Sequence, residues 1–188
     1  DFVTTYPEVS LDIDFNDRQV NLIEGGLDMA IRITTQLDPT QVARRLSTSR
    51  MLTLAAPDYL ARHGRPQVPQ DLATHHCLGY TASSRTSWPF QVEGETLWVP
   101  VKSRLQSNSG DALVDACQRG LGICRQPSFI AAPALRAGLL EAVLPDFPGP
   151  EVGIYAVFPS NRYLPTRVRA LADYLAERIG PVPSWDQP

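Results

Sequence analysis

The chain has 188 residues, 43% of them hydrophobic, which is enough to bury the core of one medium domain or two small lobes. Its formal net charge of -3 provides no overall cationic field, so we expect that this chain alone does not hold a nucleic-acid backbone. No apolar run approaches the ~18 residues of a membrane helix and residues 1–6 do not resemble a secretory signal, so we expect a cytoplasmic protein.

The first predicted elements are a strand, a helix and a second strand. Apolar and polar residues alternate over residues 9–15, which predicts a strand with one buried face. Asn16 and Asp17 are good helix N-caps, and the helical spacing of apolar residues after them predicts a short helix that ends near Gly26. Residues 29–33 form the next predicted strand, so this unit is typical of a parallel sheet.

The middle of the chain contains shorter predicted elements. Residues 51–56 are predicted as a strand, residues 58–62 and 70–74 as short helices. The aromatic and β-branched residues that follow, between residues 77 and 107, indicate short strands.

Strands and helices alternate again in the last third of the chain. Asn108 or Ser109 is predicted to cap a helix that ends at Gly120. The further predicted elements are strands at residues 121–125, 139–144 and 154–158, a helix at 127–137, and a final helix from Pro165 to Gly180.

The candidate reactive residues show no spacing that supports chemistry. Three cysteines form no CxxC pair and three histidines have no metal-ligand spacing, so we expect buried reduced thiols, no metal and no cofactor. The sequence contains no GxSxG elbow, P-loop, dinucleotide fingerprint or HExxH motif, so we predict that the protein is not an enzyme.

Six segments stand in order along the chain: YPEVSLDI (6–13), LIEGGLDMAIRI (22–33), VARRL (42–46), AAPDYLARHG (55–64), GLGI (120–123) and IYAVFPSNRYLPTRVRALADYL (154–175). This ordered set resembles the effector-binding domain of LysR-type transcription regulators. Short pieces such as GLGI occur by chance, but the set spans nearly the whole chain in the family's order. The resemblance therefore identifies the chain as a sensor domain of this family.

The resemblance implies an α/β fold of two Rossmann-like lobes with a central cleft, as in type 2 periplasmic binding proteins. Lobe I is expected at residues 1–76 and 152–188, and lobe II at residues 77–151. Family members carry a winged helix-turn-helix, a linker helix and the first strand of lobe I before the YPEV segment, so the resemblance implies a fragment of a longer regulator. DNA would then be bound only through that missing domain. The full-length protein would be a homodimer or homotetramer, with residues 111–119 at one interface.

The candidate ligand-binding residues follow the carboxyl ends of predicted strands, where open α/β sheets bind ligands. Each has a structural alternative: a helix cap for Asn16 and Asp17, and a turn for the residues after Ile33. The strongest candidates are the three small polar residues before the predicted helix, since only one is needed as its cap. The full predicted set is Asn16, Asp17, Ile33, Thr34, Ser107, Asn108, Ser109, Gln126 and Pro127.

Two further functions compete with the sensor of a regulator. A free solute-binding protein of the same fold would need an export signal, and an enzyme would need a catalytic motif. Helix N-termini after Asp17 and Ser109 favour a small carboxylate as the effector, although Asp17 and Asp111 can themselves occupy those positive helix ends.

Overall fold

The computed structural model describes residues 1–15, 21–81, 86–159, 164–180 and 183–186. They fold into two compact units, which we call unit 1 (residues 1–48 and 152–188) and unit 2 (residues 49–151). The helices are α1 Phe2–Thr5, α2 Pro57–His63, α3 Gly110–Gln118, α4 Ser128–Arg136 and α5 Thr166–Ile179, with a 3-10 helix at Pro69–Thr74. The strands are β1 Ala30–Thr34, β2 Val42–Ser49, β3 Met51–Ala55, β4 Cys77–Tyr80, β5 Ser87–Val92, β6 Glu95–Pro100, β7 Ser103–Ser107, β8 Ile123–Pro127, β9 Glu141–Val143 and β10 Val152–Phe158.

Unit 1 is built on a three-stranded sheet in the order β1-β10-β2. The central strand β10 is buried along most of its length, as its continuous apolar sequence predicts. Helix α5 follows it and buries Val168 and Ala172, which lie four residues apart on one helix face. Arg44 on β2 forms an exposed ion pair with Asp173 of that helix.

The beginning of unit 1 differs from the predicted strand, helix and strand. The strand predicted at residues 9–15 is wrong: these residues have no regular structure, and Ile13 and Phe15 are 61% and 94% exposed. Alternation produces a strand only where a neighbouring strand takes its hydrogen bonds. The predicted helix falls partly on residues 16–20, which lie outside the described residues, and residues 22–26 are turns. The predicted strand at residues 29–33 is confirmed as β1, but it pairs antiparallel with β10, so it does not belong to a parallel unit.

Unit 2 contains a five-stranded sheet in the order β7-β4-β8-β3-β9. Strand β4 pairs in parallel with both β7 and β8, while β3 pairs antiparallel with β8 and β9. The core includes the fully buried Leu54, Leu78, Leu113 and Ile123, together with Phe90 from the antiparallel β5–β6 hairpin. Helices therefore pack against the sheet of unit 2, as the alternation of strands and helices along the chain predicts.

The GLGI segment between α3 and β8 contains two glycines, and each is needed for a different structural reason. Gly120 has a φ of +68°, a left-handed conformation that ends α3. Gly122 passes so close to β4 that a Cβ there would lie 2.5 Å from the carbonyl oxygen of His76. The neighbouring Ile123 N–H donates to that same oxygen at 2.8 Å. The motif therefore closes the parallel pairing of β4 and β8.

The boundary between the units differs from the predicted lobes in one segment. Residues 49–76 were expected in lobe I, but they belong to unit 2. The reason is strand pairing, because β3 lies between β8 and β9 and therefore belongs to the larger sheet. The second boundary, between Glu151 and Val152, coincides with the predicted return of the chain.

Candidate functional site

The N-terminus of α3 gathers three of the predicted ligand-binding residues. Ser109 is its N-cap, and its Oγ accepts a hydrogen bond from the N–H of Ala112 at 3.3 Å. Ser107 Oγ accepts one from the N–H of Ser109 at 3.0 Å and so shapes the turn into the helix. Asn108 lies between them, exposed, and its side chain makes no hydrogen bond within the described residues. Asn108 is therefore the side chain of this group that is free to contact a ligand.

Gln126 on β8 brings a fourth predicted residue to the same helix end. Its side chain is buried, with 3% of the residue exposed, and a Cβ built on Gly110 would lie 2.8 Å from Oε1 of Gln126. The absence of a side chain at Gly110, the first residue of α3, lets this carboxamide approach the helix. Its Nε2 has no hydrogen-bond partner among the described residues. A buried donor normally has a partner, so this nitrogen is suited to an acceptor on a ligand.

Pro127 is the last residue of β8 and the N-cap of α4. The next residue, Ser128, is buried, and its Oγ lies 2.8 Å from Oγ of Ser49 and accepts the N–H of Arg50 at 3.2 Å. These bonds connect the start of α4 to the end of β2 and to the residue before β3. Pro127 thus lies beside a satisfied polar cluster and has a clear structural role.

Two of the predicted residues of unit 1, Ile33 and Thr34, are the last two residues of β1. Ile33 on β1 is 44% exposed. Thr34 Oγ1 donates to the carbonyl of Gln36 at 2.8 Å and accepts its N–H at 3.1 Å, so this hydroxyl already serves the turn after β1. Asn16 and Asp17 lie outside the described residues. Within unit 2, the structure therefore brings Ser107, Asn108, Ser109 and Gln126 together, with Pro127 next along β8.

Comparison with protein families shows which family this chain belongs to. The model of the LysR substrate binding domain matches residues 1–180. The chain is a member of this family. It is 34% identical over 183 residues to the probable HTH-type transcriptional regulator LtrA of Klebsiella pneumoniae, covering 95% of this chain and 59% of that protein. It is 33% identical over 172 residues to an uncharacterized HTH-type transcriptional regulator of Haemophilus influenzae, covering 91% of this chain and 60% of that protein.

Solved structures show the same fold as this LysR substrate-binding domain. The regulatory domain of CrgA, a LysR-type transcriptional regulator from Neisseria meningitidis, is 31% identical with a TM-score of 0.84 over 95% of this chain and 88% of that one. The full-length Vibrio cholerae virulence activator AphB is similar in fold, with a TM-score of 0.80 over 94% of this chain and 60% of that one. The predicted α/β fold of the periplasmic-binding-protein type is thus confirmed. This domain spans about 60% of the length of the curated relatives it matches.

The cysteines of this LysR substrate-binding domain are buried free thiols, as predicted. Burial raises the pKa of the Cys77 thiol to about 12. A hydrogen bond with Cys117, together with burial, raises the pKa of Cys124. Thiols in this state are poor nucleophiles.

No group of residues that could hold a metal ion is present in the described part of this domain. None of the helices described here combines the length and hydrophobicity needed to span a bilayer.

One charged side chain in the core of this LysR substrate-binding domain is absent from the predicted site. Arg125 precedes Gln126 on β8, is 7% exposed, and none of its three guanidinium nitrogens has a hydrogen-bond partner among the described residues. Alternation along a strand points it to the opposite face of the sheet from Gln126. A charged residue at the end of the predicted strand at residues 121–125 was the available sequence signal.

Proposed function

We propose that this chain is the effector-sensing domain of a bacterial LysR-type transcription regulator. The observation that supports this role is the group formed by Asn108, Ser109 and Gln126 at the N-terminus of α3. It combines a free exposed carboxamide, a capped nine-residue helix and a buried amide nitrogen without a partner among the described residues. These groups supply hydrogen-bond donors, and the helix end adds a partial positive charge.

A small carboxylate is the effector class that fits this group best. Backbone N–H groups at a helix N-terminus bind anions, and the Nε2 of Gln126 adds a donor from β8. Asp111 in the first turn of α3 is exposed and offsets part of the positive end, so Asn108 and Gln126 become the principal side-chain contacts. Contacts from Asn16, Asp17, Ile33 and Thr34 of unit 1 stay predictions.

Calorimetric titration with aromatic and aliphatic carboxylates and their uncharged amides tests this proposal. A hydrogen bond to a charged ligand group contributes about 1.5 to 3 kcal/mol, so Asn108→Ala should weaken binding by roughly tenfold or more. Gln70→Ala removes a similar exposed carboxamide from the 3-10 helix of unit 2 and serves as the matched control. The carboxylate assignment fails if the amides bind as tightly as the acids, and the site assignment fails if Asn108→Ala binds like Gln70→Ala.

The wider roles of the regulator belong to the same proposal. Its relatives are named HTH-type transcriptional regulators and extend beyond the matched region, so we place DNA binding in a part of the protein outside this domain. This chain, with a net charge of -3, should then show no specific binding to duplex DNA in a mobility-shift assay.

The same proposal includes cytoplasmic localisation, no catalytic activity, and assembly of the full-length protein as a homodimer or homotetramer. Residues 111–119, which are most of α3 and its C-cap, are the proposed contact surface. Sedimentation of the isolated domain, which should associate weakly, and of the full-length regulator tests the assembly.

A further inference from the structure

Arg125 has a buried positive charge for which the described residues provide no counter-charge. The residue is 7% exposed, and Nε, Nη1 and Nη2 all lack a hydrogen-bond partner in the described part of the chain. A guanidinium carries five N–H donors, and burying them unpaired is strongly unfavourable.

Loss of the proton does not remove this charge. Burial lowers the pKa of Arg125 to about 10, which leaves the guanidinium protonated at neutral pH. Its Cζ lies 4.8 Å from the ring centroid of Phe90, so one face of the guanidinium stacks on an aromatic ring. That contact covers a face but satisfies no N–H group, because the donors lie in the guanidinium plane.

Partly exposed residues lie beside the guanidinium of Arg125. A Cβ built at Gly149 would lie 1.7 Å from Nη2 of Arg125, so a side chain there would displace the guanidinium. Gly149 is itself partly exposed, as is Met51, whose Cβ is next to the same position. Thr53 lies directly across from Arg125 on β3 and so shares its face of the sheet.

We propose that Arg125 is the centre of a second ligand site, in unit 2, which binds a small oxyanion beside Gly149 and Thr53. The oxyanion supplies the missing counter-charge, and its oxygens accept from the in-plane N–H groups, as guanidinium–carboxylate and guanidinium–phosphate pairs do. Since Arg125 and Gln126 point to opposite faces of β8, this site is separate from the proposed effector site. The oxyanion is either inorganic, such as sulfate or phosphate, or the carboxylate of a small organic acid.

Thermal unfolding of the whole chain in oxyanion-free buffer, with sulfate, phosphate, acetate or succinate added at constant ionic strength, tests the site. At ten times its dissociation constant, a bound anion should raise Tm by about 3 to 6 °C. Arg125→Met keeps the length and apolar stem of the side chain without the charge. It should lose this rise and should be at least as stable as the natural chain in the oxyanion-free buffer, because the unpaired charge is gone.

Arg119→Met is the matched control, since Arg119 is an exposed arginine of unit 2 paired with Asp115, and it should keep the full response. With sulfate or phosphate, Asn108→Ala should also keep it, which separates this site from the effector site. A response to sulfate or phosphate assigns an inorganic oxyanion. A response confined to acetate or succinate assigns an organic acid only if Arg125→Met loses it and Asn108→Ala keeps it, because a carboxylate bound at the effector site gives the opposite pattern. If no anion raises Tm, or if Arg125→Met responds like the natural chain, the proposal is overturned.

A direct measurement covers the case in which Arg125→Met does not fold. In the natural chain, the Nε–H resonance of Arg125 in a 1H–15N spectrum should shift as the anion is added. Gly149→Ala puts a methyl group where Nη2 lies. The apparent affinity for the anion, measured from the titration of this resonance, should then fall at least tenfold. An Arg125 resonance that does not move at saturating anion excludes the site.

Discussion

The hydroxyl of Tyr59 is expected to stabilise unit 2 through two hydrogen bonds in its interior. Tyr59 on α2 is fully buried at 0% exposure. Its hydroxyl accepts the backbone N–H of His76 at 3.0 Å and lies 3.1 Å from Nδ1 of the buried His75. The ring also stacks on His63 with centroids 4.4 Å apart. Tyr59→Phe keeps the ring and its stacking and removes only the hydroxyl.

The expected loss of stability follows from the two groups that lose a hydrogen bond. Leaving a buried donor or acceptor unsatisfied costs about 1 to 3 kcal/mol. The N–H of His76 is only partly buried and water can reach part of it, so we expect about 1 to 3 kcal/mol for the pair together. With a urea m-value of about 2 kcal/mol per molar, the unfolding midpoint should fall by roughly 0.5 to 1.5 M.

Urea unfolding followed by circular dichroism and tryptophan fluorescence measures this loss. Tyr6→Phe removes a hydroxyl from a residue that is 40% exposed and should change the free energy of unfolding by less than about 0.5 kcal/mol. A Tyr59→Phe variant that unfolds at the same urea concentration as Tyr6→Phe, with an unchanged m-value, would refute the reasoning.

Three further outcomes are expected. Burial lowers the pKa of His75 in the folded chain. As pH falls below about 6.5, this histidine is therefore protonated in the unfolded chain before it is protonated in the folded chain. The free energy of unfolding should then fall more steeply with decreasing pH in the natural chain than in His75→Gln. Gly122→Ala should cost about 1 to 3 kcal/mol, since its Cβ would lie 2.5 Å from the carbonyl oxygen of His76, and equal stability would contradict that contact. The three buried thiols should react with a thiol reagent only after urea unfolding, and fast labelling of the native chain would show that they are accessible.

The candidate site was predictable where its signals are local. Ser109 caps α3 because a short hydroxyl side chain before an amphipathic run favours that position in any context. Ser107 and Asn108 directly precede this cap in the sequence, so their position near the helix end was also predictable. Gln126 was expected near this helix end only because strands and helices of an α/β sheet meet at one edge. Arg125, its neighbour, was missed because its burial depends on Phe90 and Gly149, which are distant in sequence.

The sequence by itself determined the elements whose pattern and end signals lie close together along the chain. Examples are the buried strand β10 and the helix α5 between Pro165 and Gly180. The sequence also identified the family, through motifs in a specific order. Only the tertiary structure decided which strands pair. Residues 9–15 alternate like a strand but pair with no strand in the described part of the chain. Strand β3 belongs to unit 2 because β8 and β9 take its hydrogen bonds. Backbone hydrogen bonds in a sheet join segments far apart along the chain, so no local pattern can specify the partner.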